Sequence, residues 1–406
     1  MPGDALDACV RGFRRDMIDF TGELVAIASE NPPGNAYAAC VQAIASRLRA
    51  LGLPCEIVPY RSERGQRDAS GAAVVLSHVG EGRRTLYFSG HYDVVPVTTA
   101  GQCAPVRKGR MIFGRGTADM KGGLAAMLYA AVALARLRVP LDGRVGLVFV
   151  PDEETGGRRG SAFLAAKGRL GTDGIGMLTP EPTSGVVWNG NRGAISLRVT
   201  VHGRPAHVGL MHQGRNAFED ALRVVSRLQR LARRVSRRRT RFHITPDAAR
   251  RSIVLIGGEV EAGSNFNVVP SRCVFTVDRR MNPEEDYDEE REALLAVFDE
   301  ARREGVRLDV EVFQEARPSG TSPSTPLGRA LARHVRAVTG RPAKFELCPG
   351  LLEIRFYAQQ GMPSYAYGPG LLSVSHGPKE FVDTDRIVDC ARIYARVAAD
   401  LLRTSR

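Results

Sequence analysis

The chain has 406 residues, 43% of them hydrophobic and 25% charged. It is too long for one ordinary compact domain, and no uninterrupted apolar run approaches the roughly 20 residues of a bilayer span, which excludes a membrane-spanning protein. The formal charge of +13 raises nucleic-acid binding, but Lys108, Lys121, Lys167, Lys344 and Lys379 are the only lysines and the arginines are spread along most of the length, which favours a compositional habit over a polyanion site.

Seven cysteines stand singly from Cys9 to Cys390 without CxxC spacing, so neither a disulfide framework nor a thiolate zinc knot is expected. The start, MPGDALDACVRGF, lacks the basic-then-apolar order of a secretory leader, and cytoplasmic residence is the expectation.

From about residue 10 to 190, helical stretches such as 37–51 and 124–137 alternate with short apolar runs at 85–89, 145–150 and 175–178. Such runs predict buried strands covered by helices on both faces. Near Gly193 the pattern changes: Ile195, Leu197, Val199 and Val201 alternate with Ser196, Arg198, Thr200 and His202, as in a strand with one wet face. A helix follows in which Arg223, Arg227, Arg230, Arg234 and Arg237 interleave with an apolar stripe of Phe218, Leu222, Val225, Leu228 and Ala232; a solvated basic face on an amphipathic helix is the expectation. Strand-like 253–256 and 273–277, an acidic helix opening at Pro283, and alternating Leu308, Val310 and Val312 complete the order β-α-β-β-α-β of a ferredoxin-like sandwich. After Pro318 the first pattern resumes, with a helix over 327–338, a strand over 364–367 and a terminal helix over 385–402. The fold expected is α/β: a catalytic domain with a mostly parallel central sheet, in two parts (1–192 and 316–406), interrupted by an inserted α+β domain (193–315).

Four short segments put potential metal ligands just past predicted strands, where open α/β sheets place their ligands. In FSGHYDVVP, His91 and Asp93 lie two apart and share a side, so Asp93 can hold one imidazole nitrogen while the other binds a cation; an ordinary surface turn has the same spelling. In FGRGTADMKGG, Asp119 stands between a glycine-rich turn and a helix, as a bridging carboxylate or as a helix N-cap. In FVPDEETGG, Glu153 and Glu154 are adjacent, and their repulsion is relieved if one binds metal while the other serves the attacking water. Glu181 follows a further apolar run in LTPEPTS.

SGHYDVVP, GRGTADMKGG, PDEETGG, PEPTS and the late SHGPKEFV resemble, in order and spacing, the co-catalytic zinc amidohydrolases that include acetylornithine deacetylase, succinyl-diaminopimelate desuccinylase, aminoacylase and glutamate carboxypeptidase. The resemblance spans nearly the whole chain. It implies two Zn2+ per subunit, with His91 and Glu181 on one, Glu154 and His376 on the other and Asp119 bridging; carboxylate and imidazole ligands also accept cobalt or manganese. It further implies Glu153 as general base, Asp93 as the partner of His91, and a cis peptide between Asp119 and Met120. His207, in HGRPAHVGL, resembles the lid histidine that family members offer to the oxyanion, often across a homodimer that pairs through the inserted domain. Asn267 in NVVP and Arg280 in VDRRM match residues that meet a substrate carboxylate; strand alternation lets only one of Arg279 and Arg280 face inward, and Arg280 is preferred.

Where many relatives carry Gly-Thr-Ser-Asp-Gly, this chain reads Gly350, Leu351, Leu352, Glu353. The turn at Gly350 is expected to survive without the hydroxyl side chains, and the nearby Cys348 is expected to be a buried structural thiol. Glutamate at 181 matches deacylases and carboxypeptidases, whereas related aminopeptidases use aspartate there and N-carbamoyl amidohydrolases histidine. The resemblance thus implies cleavage of the amide of an N-acyl amino acid, with a dipeptidase or carboxypeptidase as the alternative. A non-catalytic, basic nucleic-acid-binding protein on a retired hydrolase fold is the competing reading from another class, and the intact ligand set argues against it.

Overall fold

The computed structural model describes residues 3–62, 68–170 and 173–403. Two compact units divide the chain: one gathers residues up to Asn189, Thr321–Glu346 and those from Leu352 onward, and the other is Gly190–Gly320 with Leu347–Leu351.

The first unit is built on a mixed sheet that is parallel at its centre. Thr85–His91 lies between Arg144–Val150 and Gly174–Thr179, parallel to both, and Ser364–Ala366 continues the parallel run beside Gly174–Thr179. Antiparallel strands flank this centre, with Ala73–Val79 then Glu56–Pro59 on one side and Val187–Asn191 on the other. All seven positions of Thr85–His91 are buried, as a strand covered on both faces requires. Alternation shows the two layers directly: Phe88 packs on Tyr394 of the terminal helix Thr384–Leu401 at a centroid distance of 4.7 Å, while its neighbour Tyr87 meets Tyr357 of the short helix Ile354–Ala358 at 5.7 Å.

The helix Gly122–Arg136 is buried through Leu134 on every side, and each fully buried Leu, Val or Met contributes about 1.5–3 kcal/mol over an exposed one. Among the described residues, Thr117–Arg136 is the one stretch long and apolar enough to cross a bilayer, and 94% of that window is buried inside the fold. Its apolarity serves the core.

The second unit is a four-stranded antiparallel sheet of Gly193–His202, Ile253–Ala262, Arg272–Met281 and Arg307–Ala316, with helices Ala217–Val235 and Tyr287–Arg303. Numbered within the unit, the strands lie side by side in the order 2-3-1-4, which is the ferredoxin-like arrangement. Ile195, Leu197, Val199 and Val201 enter its core with Phe275, Val277, Leu228 and Leu294.

Two details differ from the sequence expectation. The helix Ala217–Val235 buries Ala217, Ala221, Val224, Leu228, Leu231 and Val235, while Phe218 and Leu222 are exposed. The acidic helix opens after Asp286 and not at Pro283, because Asp286 accepts the main-chain N–H groups of Asp288 and Glu289 at 2.9 and 3.0 Å and is the stronger N-cap.

Candidate metal centre

Three strand ends, one helix-leading turn and one late loop of the first unit deliver acidic and imidazole side chains to one place. His91 is the last residue of its strand, Glu153 and Glu154 form the 3-10 turn after Val150, and Glu181 follows Thr179 by two residues. Asp119 sits in the turn before the buried helix, and its peptide bond to Met120 is cis. His376 comes from the loop after Ser364–Ala366 and holds a left-handed backbone at φ 62°, a conformation non-glycine residues keep only where the surroundings enforce it. Close main-chain approach shapes the floor: a Cβ on Gly368 would lie 2.2 Å from the Pro180 oxygen, and one on Gly370 would lie 2.3 Å from that of Ala118.

Two triads result, His91–Asp119–Glu181 and Asp119–Glu154–His376, each with its donor atoms within 4.8 Å of one another and with Asp119 common to both. His91 Nε2 is 3.2 Å from Asp119 Oδ1 and 3.9 Å from Glu181 Oε2, and His376 Nε2 is 3.3 Å from both Asp119 Oδ2 and Glu154 Oε2.

The electrostatics of these protein groups call for positive charge. Burial pushes Glu181 well up from its ordinary pKa, opposed by His91 and reinforced by Asp119, Glu153 and Glu154. Glu153 is pushed up to about 8 by burial, with His91 and Arg355 pulling it down and Glu154 adding to the rise. Burial opposes charge on His91, but hydrogen bonds to Asp119 and Asp93 hold its pKa well above the usual value; those to Asp119 and Glu154 lift His376 to about 10. Among the described residues the buried Oε1 atoms of Glu154 and Glu181 have no hydrogen-bond partner, which is costly unless a cation completes them. Imidazole nitrogens and carboxylate oxygens without thiolate suit a borderline divalent cation, so the residues present fit a metal.

A surrounding set of hydrogen bonds fixes the cluster. Asp93 is fully buried and accepts from the main-chain N–H groups of Glu153 and Glu154 at 3.2 and 3.1 Å and from Asn31 Nδ2 at 2.9 Å. Its carboxylate lies 3.4 Å from His91 Nδ1, while its main-chain oxygen is 3.0 Å from the same nitrogen. On the other side Glu380 Oε1 accepts the Ala118 and Asp119 N–H groups at 3.0 and 3.1 Å, and its Oε2 pairs with the buried Arg115 at 2.8 Å. Sequence reasoning passed over Asn31, Arg115 and Glu380. They stand in NPPG, FGRG and SHGPKEF, where nothing marks them as partners of a distant carboxylate or main-chain N–H.

The remaining candidates lie in the second unit. His207 N-caps the turn Val208–Gln213, its Nδ1 accepting from Gly209 N–H at 3.1 Å; the proton then resides on Nε2, leaving a donor on an exposed ring. Asn267 is tied to the same place, its main-chain oxygen accepting from Val208 N–H at 2.9 Å. Arg279 is fully buried and locked to Glu285 and Glu290 at 2.6 and 2.8 Å, whereas Arg280 is partly exposed and pairs with Asp278 at 2.8 Å. Gly350 has open space around it: a Cβ there would meet only Cys348 Sγ, at 3.9 Å, and Cys348 is buried. On the basic helix, Arg223 pairs with Asp220, and Arg227 with Glu300 and Glu304.

The family model described as peptidase family M20/M25/M40 matches residues 87–400. The chain is 30% identical to a succinyl-diaminopimelate desuccinylase of Roseobacter denitrificans, over 78% of this chain and 83% of that one. It is 26% identical to an acetylornithine deacetylase of Myxococcus xanthus, over 87% and 90%. Its fold resembles that of an M20 family metallo-carboxypeptidase of Sulfolobus solfataricus at a TM-score of 0.76, with 16% identity over 94% of this chain and 98% of that one.

Proposed function

The chain belongs to the peptidase family M20/M25/M40 and is a metal-dependent amidohydrolase, and on that premise we propose that it removes the acyl group from an N-acyl amino acid, with two Zn2+ ions as its metals. The observation that carries this reading is the pair of triads sharing Asp119, together with relatives named as a desuccinylase and a deacetylase.

Bound at the two triads, a pair of divalent cations supplies Lewis acidity for the amide carbonyl and acidifies water. Asp119 serves both triads, His91 and Glu181 complete one, and Glu154 and His376 complete the other. Asp93 fixes the His91 ring and, through the two N–H groups it accepts, the backbone that presents Glu153 and Glu154. Glu153 takes a proton from the attacking water as the new C–O bond forms, then returns it to the departing nitrogen as the C–N bond breaks. His207 Nε2–H is the donor for the oxyanion, and Asn267 and Arg280 receive the substrate carboxylate, with the guanidinium offering two parallel hydrogen bonds. The turn at Gly350, without the relatives' hydroxyls, shapes the acyl pocket.

The inserted segment acts as a lid and dimerisation domain. Exposed Phe218 and Leu222, one helical turn apart, and exposed Ile253, Leu255 and Val260 on the edge strand support a homodimer through this unit. Seven free cysteines support a cytoplasmic setting.

A screen of the metal-loaded protein against N-acetyl and N-succinyl amino acids and dipeptides tests the function. The reading expects one N-acyl class to be turned over well above the dipeptides; hydrolysis of dipeptides alone would shift it to the dipeptidase alternative.

A further inference from the structure

Two charged side chains at 353 and 355 are buried beside the Glu153 turn, and the mechanism above does not use them. Arg355 is 2% exposed and Glu353 is 1% exposed. Arg355 makes no ion pair among the described residues. Its Nη1 donates to the Leu352 oxygen at 2.7 Å and its Nη2 to the Gly156 oxygen at 2.8 Å. Gly156 closes the turn: its N–H donates back to the Glu153 oxygen at 2.8 Å, and its φ is 110°. Glu353 accepts from Ser161 Oγ, on the first residue of the helix Ser161–Ala166 that follows the turn. Its other oxygen has no hydrogen-bond partner among the described residues and lies 2.7 Å from where a Cβ on Gly157 would stand.

Residues 352–355 therefore hold the segment that follows Glu153 at two points, Gly156 and Ser161. Burying a guanidinium without a carboxylate at contact distance carries a large desolvation penalty, so hydrogen bonding to two main-chain oxygens is a poor return in stability alone. Burial pulls the Arg355 pKa below its ordinary value, and the carboxylates of Glu153, Glu353 and Glu181 oppose that fall. Arg355 Nη1 and Nη2 are each directed at a main-chain oxygen of the 352 and 156 turns, which is the geometry of a structural tie.

We propose that Arg355 and Glu353 are positioning residues that set the orientation of the Glu153 carboxylate by clamping the 153–161 segment. This places a role on Glu353 and Arg355, two buried charges that no ligand position of the triads uses. The proposal rests on Glu153 being the general base.

The test uses the full-length, metal-loaded enzyme and the N-acetyl or N-succinyl amino acid it hydrolyses best. Arg355→Met is expected to lower kcat about 100-fold, as misplacement of a reacting group by about 1 Å does, with KM within about threefold and metal content unchanged. Arg355→Lys should restore part of that loss, since it keeps the charge and N–H donors on a single nitrogen, without the planar fork that reaches both oxygens. Ser161→Ala removes the far grip while keeping both charges, and should lower kcat about tenfold; it serves if Arg355→Met does not fold. In a Glu153→Ala background neither change should cost more than about twofold further, because the group they orient is gone. Unchanged kcat in Arg355→Met or Ser161→Ala, or equal losses with and without Glu153, would overturn the clamp. Full activity in Glu153→Ala alone would instead remove the base reading and the clamp with it, which separates the two failures.

Discussion

The two units hold their candidate functional residues in opposite ways. In the first unit His91, Asp93, Asp119 and Glu181 are buried, His376 being the half-exposed exception, and the cluster is tied by Asn31 to Asp93 on one side and by Arg115 and Glu380 to Asp119 on the other. In the second, His207 is exposed on a capped turn, Asn267 is held through its main chain, and Arg280 keeps one partly exposed partner. The contrast teaches that metal ligands must be over-determined, since a preformed site needs donors fixed before the cation arrives. Groups that meet a substrate can remain on lightly held surface elements until it binds.

The comparison can be broken most severely at the first unit. Glu153→Ala should lower kcat about 1,000-fold, within the range for loss of a general acid–base group, while metal content by elemental analysis stays at the wild-type value. His207→Ala should lower kcat about 100-fold, as expected for a lost oxyanion donor, without altering metal content; a loss of metal there would erase the distinction between the units. If the histidine acts across a dimer, mixing His207→Ala with Glu153→Ala protein should recover activity.

A third region sharpens the comparison by touching neither set. Asp7 accepts from Arg392 and Arg396 at 2.8 and 2.6 Å, joining the first helix to the last. Burial opposes its ionisation, yet these two arginines hold its pKa below the usual carboxylate value. Its contribution is thus present above the unfolded pKa of about 3.9 and lost as pH falls through the lower folded value. Asp7→Asn should reduce stability by about 2 kcal/mol at neutral pH, less than for a fully buried pair. The gap between variant and wild type in denaturant titrations should close in acid, and kcat should not move.

Asn31→Ala should weaken metal binding about tenfold, the low end for a residue that orients a ligand's partner, as measured by chelator competition. Reversing Arg234 and Arg237 to glutamate should change nothing in turnover. Salt-sensitive RNA or DNA binding that vanished with those reversals would revive a polyanion role for the basic helix.

Much of this was legible in the sequence for physical reasons. Thr85–His91 and Arg144–Val150 are apolar because both faces are covered, and Gly193–His202 alternates because one face of its sheet is not. His91, Asp119, Glu154 and Glu181 stood in short motifs beside predicted strands or a helix start, each open to a plainer reading, and His376 came forward only through the family resemblance of SHGPKEFV. Asn31 and Glu380 did not stand out, since their partners lie 62 and 261 residues away and nothing local marks a long-range hydrogen bond. Arg355 was invisible for the same reason: charge in a sequence implies surface, and only packing shows a guanidinium turned inward. On Ala217–Val235 the apolar positions allowed more than one face, and Phe218 and Leu222 were assigned to the core because large residues weigh more than alanines in such a pattern.

The central claim is that two triads share one carboxylate, and counting metal ions tests it most directly. Elemental analysis of the dialysed protein and of Asp119→Ala, His91→Ala and His376→Ala should find two divalent ions per wild-type chain. The histidine variants should each lose mainly one, and Asp119→Ala should lose both. A wild-type chain without tightly held divalent metal, or one whose full complement survives Asp119→Ala, would contradict the account.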